Sequence, residues 1–363
     1  MSILIRGARV FTPEDIGVRD ALVPGEKVTY QSSKTGPPKT AAQTVRADGL
    51  FLFPGLIDSH IHIIGGGGER GIFYPGFSSG DLLSCGITAC VGMLGVDSEV
   101  KTIEAVYQKA QELCERGVPA KALSGSYTLP PASVHENYKQ DIAQLPLCCG
   151  VGEVAYMDSR APDITAGALA ELAFSVATAG AKAAKTAVLV LHVGNTAQDL
   201  SVLLTVVGKV PGLARTVVAT HINRSCALLD DAAAYIRLGG VVDVTAGILE
   251  SEERSGSFLS APYALAYLYE SLGSLSGVTM SSDAGGSAPI YAQDGSISGS
   301  QRATPGALIS DVFAAHIQYG IPLSEVLRTV TTTPMTLYGF EKNTGSVLAD
   351  PSGKALRTFS SRV

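Results

Sequence analysis

From Phe51 onward the chain alternates short, continuously apolar runs with longer segments of helical periodicity. The runs are Leu52–Ile57, Ala89–Leu94, Ala120–Ser124, Cys149–Val154, Ala187–His192, Thr216–His221, Val241–Thr245 and Val278–Ser282. Between them lie helix-patterned segments such as Val100–Arg116, Ala166–Ala184 and Ala227–Leu238. Strands that are apolar at every position are buried on both faces, which calls for a parallel sheet covered by helices. Repeated over this length, the pattern predicts a (β/α)8 TIM barrel; periodicity alone leaves an open doubly wound sheet as the alternative. Residues 1 to 50 read differently. ILIRGARVFTP and EKVTYQSS are short β-rich runs, with a turn at Lys34-Thr35-Gly36-Pro37-Pro38. The expected organisation is a small N-terminal β domain over 1–50, with 341–363 as its other candidate contributor, and a barrel over 51–340.

The polar residues at the ends of the runs sharpen this picture. His60 and His62 follow the first run, and Tyr127, Glu153, His192, His221 and Asp283 stand at or just beyond the ends of later ones. Residues i and i+2 of a strand face the same way, so the two imidazoles of His60 and His62 share a side. Taken alone, that pair reads equally as two core histidines. Barrel enzymes, however, build their sites at the C-terminal ends of the strands. Four histidines and two carboxylates at five strand ends favour a metal site over separate structural roles. Only His135 and His316 of the six histidines fall outside the set.

Composition narrows the class. Of 363 residues, 46% are hydrophobic and 17% charged, which favours a large buried core over disorder. A net charge of -6 gives no reason to expect nucleic acid or an anionic membrane as a partner. The N-terminus carries no leader pattern, and the Ala-rich stretch 164–181 reads as a packed helix rather than a membrane span. The six cysteines include no CxxC pair, and Cys148 and Cys149 are adjacent, so they read as reduced thiols in the cytoplasm.

Imidazole and carboxylate donors suit zinc and similar divalent ions. The inventory matches two ions: His60, His62 and Asp283 around one, His192 and His221 around the other, and Glu153 as the bridge. Such a pair acidifies a shared water into a metal-bound hydroxide, and Asp283 can pass its proton to a leaving amine, so the reaction class is hydrolysis of an amide or related bond. Arg160 and Arg224 follow two of the strand ends and suit carboxylates, which points to an acidic substrate. Glu69, after the glycine run 65–68, is either an ammonium receptor or a solvated loop residue. Tyr127 can polarise a scissile carbonyl or simply pack, and Ser287 can bind a carboxylate or serve a turn.

PGLIDSHIHIIGGGGE, THINR and SSDAGGS resemble the amidohydrolase superfamily, and within it the isoaspartyl (β-aspartyl) dipeptidases. The likeness runs from about Ile3 to Gly339. The first motif up to HxH indicates a metal-dependent hydrolase barrel in general, whereas GGGGE, HxNR and SSDxxGS-like text are more specific to the dipeptidases. The resemblance implies zinc-dependent hydrolysis of β-aspartyl dipeptides by a homo-oligomer. It implies the ligands already given, with Asp283 also the proton shuttle. Glu69 would hold the substrate α-amino group beside Gly67; Arg160, Arg224 and Ser287 would hold its carboxylates, and Tyr127 would assist at the carbonyl.

Two departures accompany the likeness. Glu153 stands where better known members carry a carboxylated lysine as the metal bridge; a directly bridging glutamate is the expectation. The tail TGSVLADPSGKALRTFSSRV shows no clear strand pair to complete the small β domain, so a shortened completion is expected. The alternatives are another amidohydrolase, such as a cyclic-amide hydrolase or N-acyl amino acid deacylase, and a non-catalytic descendant.

Overall fold

A computed structural model describes residues 3–23, 28–32, 43–66, 73–96, 98–292, 297–340 and 344–360. A small sheet is laid down first, from β1 (Ile3–Phe11), β2 (Asp15–Val23), β3 (Thr29–Gln31), β4 (Gln43–Arg46) and β5 (Phe51–Pro54). A register shift in β1 between Ile5 and Ala8 lets Ile5, Ala8 and Val10 all join a separate apolar cluster with Ala21, Val23 and Leu52.

The first apolar run, read above as one barrel strand, breaks at Gly55. Phe51–Pro54 pairs in parallel with β1 in the small sheet, while Leu56–Ile61 (β6) opens the barrel. A Cβ at position 55 would collide with the Thr88 side chain, so the chain passes this crossing only as glycine. A continuous apolar run conceals such a break, because both pieces are buried.

The barrel strands follow in order: β7 (Ile87–Gly92), β8 (Ala120–Ser124), β9 (Cys148–Tyr156), β10 (Val188–Val193), β11 (Val217–Thr220), β12 (Val241–Thr245) and β13 (Val278–Ser281). All eight lie in one parallel sheet in the order β6 to β13. Helices such as Ile103–Glu115, Ala166–Lys182 and Cys226–Arg237 connect them, their inner faces packed into the main core. Threonine or serine side chains cap each of these three at the N-terminus.

The circle closes at its C-terminal end. Asp283 N–H donates to the His60 carbonyl (3.0 Å), His62 N–H donates to the Ala284 carbonyl (2.9 Å), and Ile61 bridges Ala284 in parallel. Within the wall, Asp243 accepts from the hydroxyls of Ser59, Thr220, Thr279 and Ser281, tying β6, β11 and β13 to β12. A buried charge so fully satisfied fixes the strands relative to one another.

Beyond β13 the chain forms a hairpin of β14 (Ser287–Tyr291) and β15 (Ile297–Arg302), then returns to the small sheet. Here the reading of the tail is corrected. β16 (Gly345–Ala349) pairs antiparallel with β5 and β17 (Ala355–Ser360) pairs with β16. The Asp350-Pro351-Ser352-Gly353 turn joins them, its Asp350 carboxylate accepting from the backbone of Ser352 and Lys354. Each strand is short and half-masked by turn residues, which hid the pair in the sequence. No described helix is long and apolar enough to cross a membrane.

Candidate metal centre and substrate cavity

Because the barrel seam runs through His60, His62 and Asp283, the same backbone bonds that close the sheet assemble the first group of donors. His62 Nε2 lies 3.1 Å from Asp283 Oδ1, and His60 Nε2 lies 3.6 Å from the same oxygen. Asp283 adopts a left-handed backbone conformation (φ 49°), as does His221 (φ 61°). Non-glycine residues rarely do so, and the cost, of order 1–3 kcal/mol each, is borne where the surrounding structure holds a side chain for use.

Glu153 occupies the middle. Its Oε2 lies 2.7 Å from His192 Nδ1, 3.4 Å from His221 Nε2 and 3.6 Å from His60 Nε2, while Oε1 lies 3.8 Å from His62 Nε2. Two sets of donors can each hold an ion: His60, Glu153 and His221, and His60, His62 and Asp283. Within each set the ligand atoms lie within 4.8 Å of one another. His192 is in neither set; its ring lies against Glu153, Asp158 and Tyr127 instead.

The donor set fits a metal. Both ring nitrogens of His60 and Nδ1 of His62 are buried without a hydrogen-bond partner among the described residues. Leaving such atoms unpaired costs about 1–3 kcal/mol each unless something binds there. His221 Nδ1 meets the Thr245 hydroxyl at 2.7 Å, which turns Nε2 toward Glu153. Asn223, in the HINR text, donates to the Thr245 and Leu259 carbonyls and accepts from Thr245 N–H, so it holds this strand end in place.

The electrostatics follow from burial and crowding. Burial pulls the His60 imidazole down, but Glu153 and Asp283 overcome it and raise it to about 9. Burial and the neighbouring His192 press His221 down to about 3. Burial opposes the charge on Glu153, yet His60 and His192 hold it well below the usual carboxylate range. Asp283 is likewise lowered against burial, by His62, His221 and His60. The carboxylates are thus ionised and ready as ligands.

A cavity of about 410 Å³ opens over these donors. Arg224 reaches it from the loop after β11: Nε donates to the Val193 carbonyl (2.7 Å), and the guanidinium stacks 4.3 Å over the Phe258 ring. Among the described residues no carboxylate pairs with it. Arg160 also lines the cavity, gripped by Asp158, with Nη2 3.2 Å from the Tyr127 hydroxyl. Tyr127 is buried, its hydroxyl 2.9 Å from His192 Nδ1, and burial followed by Glu153 pushes it well above its ordinary value. Ser287 lines the cavity at the start of the hairpin. Gly67 and Glu69 lie outside the described residues.

Three lining or supporting residues escaped the sequence reading. Gly95, at φ 74°, passes so close that a Cβ would sit 2.6 Å from His62 Cε1 and 3.1 Å from Glu153 Oε1. A glycine just past a strand end was the available signal. Asp158, two residues before Arg160, was legible only as an Asx-type spacing. Glu252 is buried in the cavity wall, yet in the text ESEER it reads as a solvated charge.

No protein-family model matches the chain. Among curated proteins, an allantoinase of Deinococcus radiodurans is 30% identical over 167 residues, 45% of this chain and 34% of that protein, and an adenine deaminase of the same organism is 38% identical over 93 residues, 24% of this chain and 16% of that protein. The chain therefore spans about a third or less of the length of these curated relatives. Among solved structures, the β-aspartyl dipeptidase of Fervidobacterium islandicum AW-1 in complex with β-Asp-Leu has a TM-score of 0.86 and 29% identity, covering 100% of this chain and 96% of that one. An N-acetylglucosamine-6-phosphate deacetylase from Pasteurella multocida, with a TM-score of 0.63 and 15% identity over 99% of this chain and 98% of that one, shares the fold. Barrel and donor seam accompany a chain that resembles, along its whole length, the β-aspartyl dipeptidases and, in fold, other amidohydrolases.

Proposed function

We propose that the chain hydrolyses β-aspartyl dipeptides, using two divalent ions, zinc being well suited to the nitrogen and oxygen donors. The observation that carries this reading is Arg224. A cationic fork with no described carboxylate partner, set in the wall of a cavity beside five metal-competent side chains, is a receptor for a substrate carboxylate. The whole-length likeness to a dipeptidase solved with β-Asp-Leu supports the same substrate.

In this account His60, His62 and Asp283 would hold one ion, His192 and His221 would hold the other, and Glu153 would serve both. Its Oε2 lies within 3.6 Å of a ring nitrogen of three of the four histidines, which supports the bridging role. His60 also belongs to the Glu153–His221 donor set, so the two sites sit side by side. Bound metal supplies an acidified water and polarises the scissile carbonyl.

The chain's own groups do the rest. The Asp283 carboxylate, kept ionised by its histidines, takes the proton from the attacking water and delivers it to the departing amine. Arg224, Arg160 and Ser287 hold substrate carboxylates and so align the amide over the donors. The Tyr127 hydroxyl, kept protonated by burial, donates to the carbonyl oxygen as charge develops there. Glu69 and Gly67 receive the substrate ammonium, on the strength of the motif alone. The six thiols, all free, support a reducing cytoplasmic address. Stripping metal with a chelator abolishes β-Asp-Leu hydrolysis in this account, and zinc restores it at two equivalents per chain; hydrolysis that survives stripping contradicts it.

A further inference from the structure

Asp158 stands just past the end of β9 and is buried, at 1% exposure. Arg160 Nε donates to its Oδ1 (2.8 Å) and Nη2 to its Oδ2 (3.0 Å), a side-on, two-point grip on the guanidinium. The Arg160 backbone N–H also donates to Oδ1 (2.9 Å). On its other side, Oδ2 lies 3.2 Å from His192 Nε2. Arg160 Nη2 and His192 both reach the Tyr127 hydroxyl, at 3.2 and 2.9 Å. One buried carboxylate therefore fixes an arginine, a histidine and, through them, a tyrosine.

The backbone makes room for this. A Cβ on Gly194, which follows β10, would collide with Asp158 Cα and Cβ. The strand end carrying His192 and the loop carrying Asp158 meet at that glycine, and Gly194 N–H donates to the Tyr156 carbonyl (2.9 Å). A two-point carboxylate–guanidinium pair sets the plane of the fork as well as its place, which a lysine cannot reproduce.

We infer that Asp158 is a positioning residue for the acidic substrate: its two-point grip on Arg160 and its contact with His192 build the carboxylate-binding arm and the wall of the metal centre as one unit. The effect on turnover rests on the dipeptidase reading; the grip itself does not.

Asp158→Asn keeps the shape and removes the charge and one acceptor. The first readout needs no activity: phenylglyoxal labelling of Arg160, followed by mass spectrometry. The pair shields the guanidinium, so labelling of Arg160 is expected to be at least about fivefold faster in the variant. Unchanged labelling overturns the inference. The second readout is kinetic. With β-Asp-Leu, KM is expected to rise about ten- to a hundredfold with melting temperature and metal content held, and Asp158→Asn is expected to add less than about threefold in an Arg160→Ala background. Independent, multiplying losses in the double variant overturn the shared role.

Should Asp158→Asn fail to fold, Arg160→Lys keeps Asp158 and the positive charge but not the two-point grip. It is expected to lose KM as fully as Arg160→Ala, and a retained KM overturns the inference. Wild-type protein that cleaves no β-aspartyl dipeptide counts against the dipeptidase reading, while the labelling contrast still decides whether Asp158 holds Arg160.

Discussion

The Asp283 backbone N–H donates to the carbonyl of His60 across 3.0 Å, and this bond is part of the seam that closes the barrel. Sequence separation between the two is large, yet the fold brings their side chains within 3.6 Å. The first donor set is therefore a consequence of barrel closure. Asp283→Asn preserves the backbone bond and the side-chain shape but removes the base. The expected result is a normal fold, most of the metal retained, and kcat reduced by about 10²–10⁴-fold. Near-normal turnover would remove Asp283 from the mechanism.

Glu153 tests the bridge. Its truncation leaves His60, His192 and His221 without their shared acceptor, so Glu153→Ala is expected to lower metal content below two ions per chain, measured by elemental analysis after dialysis. Full occupancy of two ions would show that the other donors suffice.

Arg224 tests the substrate class. Arg224→Ala is expected to raise KM for β-Asp-Leu by about 10²-fold or more, because a charged hydrogen-bonding partner inside a cavity contributes about 2–5 kcal/mol when only one partner is removed. A smaller effect on kcat is expected. An unchanged preference for acidic dipeptides would exclude Arg224 as the receptor.

Glu252 gives a pH signature of its own. Burial raises its carboxyl from an ordinary 4.5 to about 7, opposed in part by the Leu249 N–H that it accepts. Folded protein keeps this proton where the unfolded chain has lost it, so the associated stability is present below about 4.5 and is lost as pH rises through about 7. Glu252→Gln should therefore gain on the wild type by about 1–3 kcal/mol between pH 5 and pH 8.5 in urea denaturation. A constant difference across that range would show that Glu252 titrates normally.

Much of the site was legible because barrel geometry converts a position in sequence into a position in space: a polar residue at a strand end faces the same mouth as every other. His60, His62, Glu153, His221 and Asp283 fall into the two donor sets on that ground. What the text does not carry is partner choice. Nothing in it says that His192 will lie against Asp158 and Tyr127, or that Glu252 is buried, because both depend on how the segments that follow the strands pack at the mouth. The break at Gly55 was hidden for a related reason: a buried crossing of two sheets and the middle of a buried strand have the same composition. β16 and β17 went unread because their sheet is completed across the whole length of the chain, and only the pairing with β5 gives those short runs a place.

The most direct measurement compares hydrolysis of β-Asp-Leu with that of α-Asp-Leu, with metal content determined on the same sample. The account predicts cleavage of the β-linked peptide alone, at about two zinc ions per chain, the stoichiometry that a bridging Glu153 requires. Two zinc ions with neither peptide cleaved would contradict the substrate and point to another amide; absence of both metal and cleavage would contradict Glu153 as a working bridge.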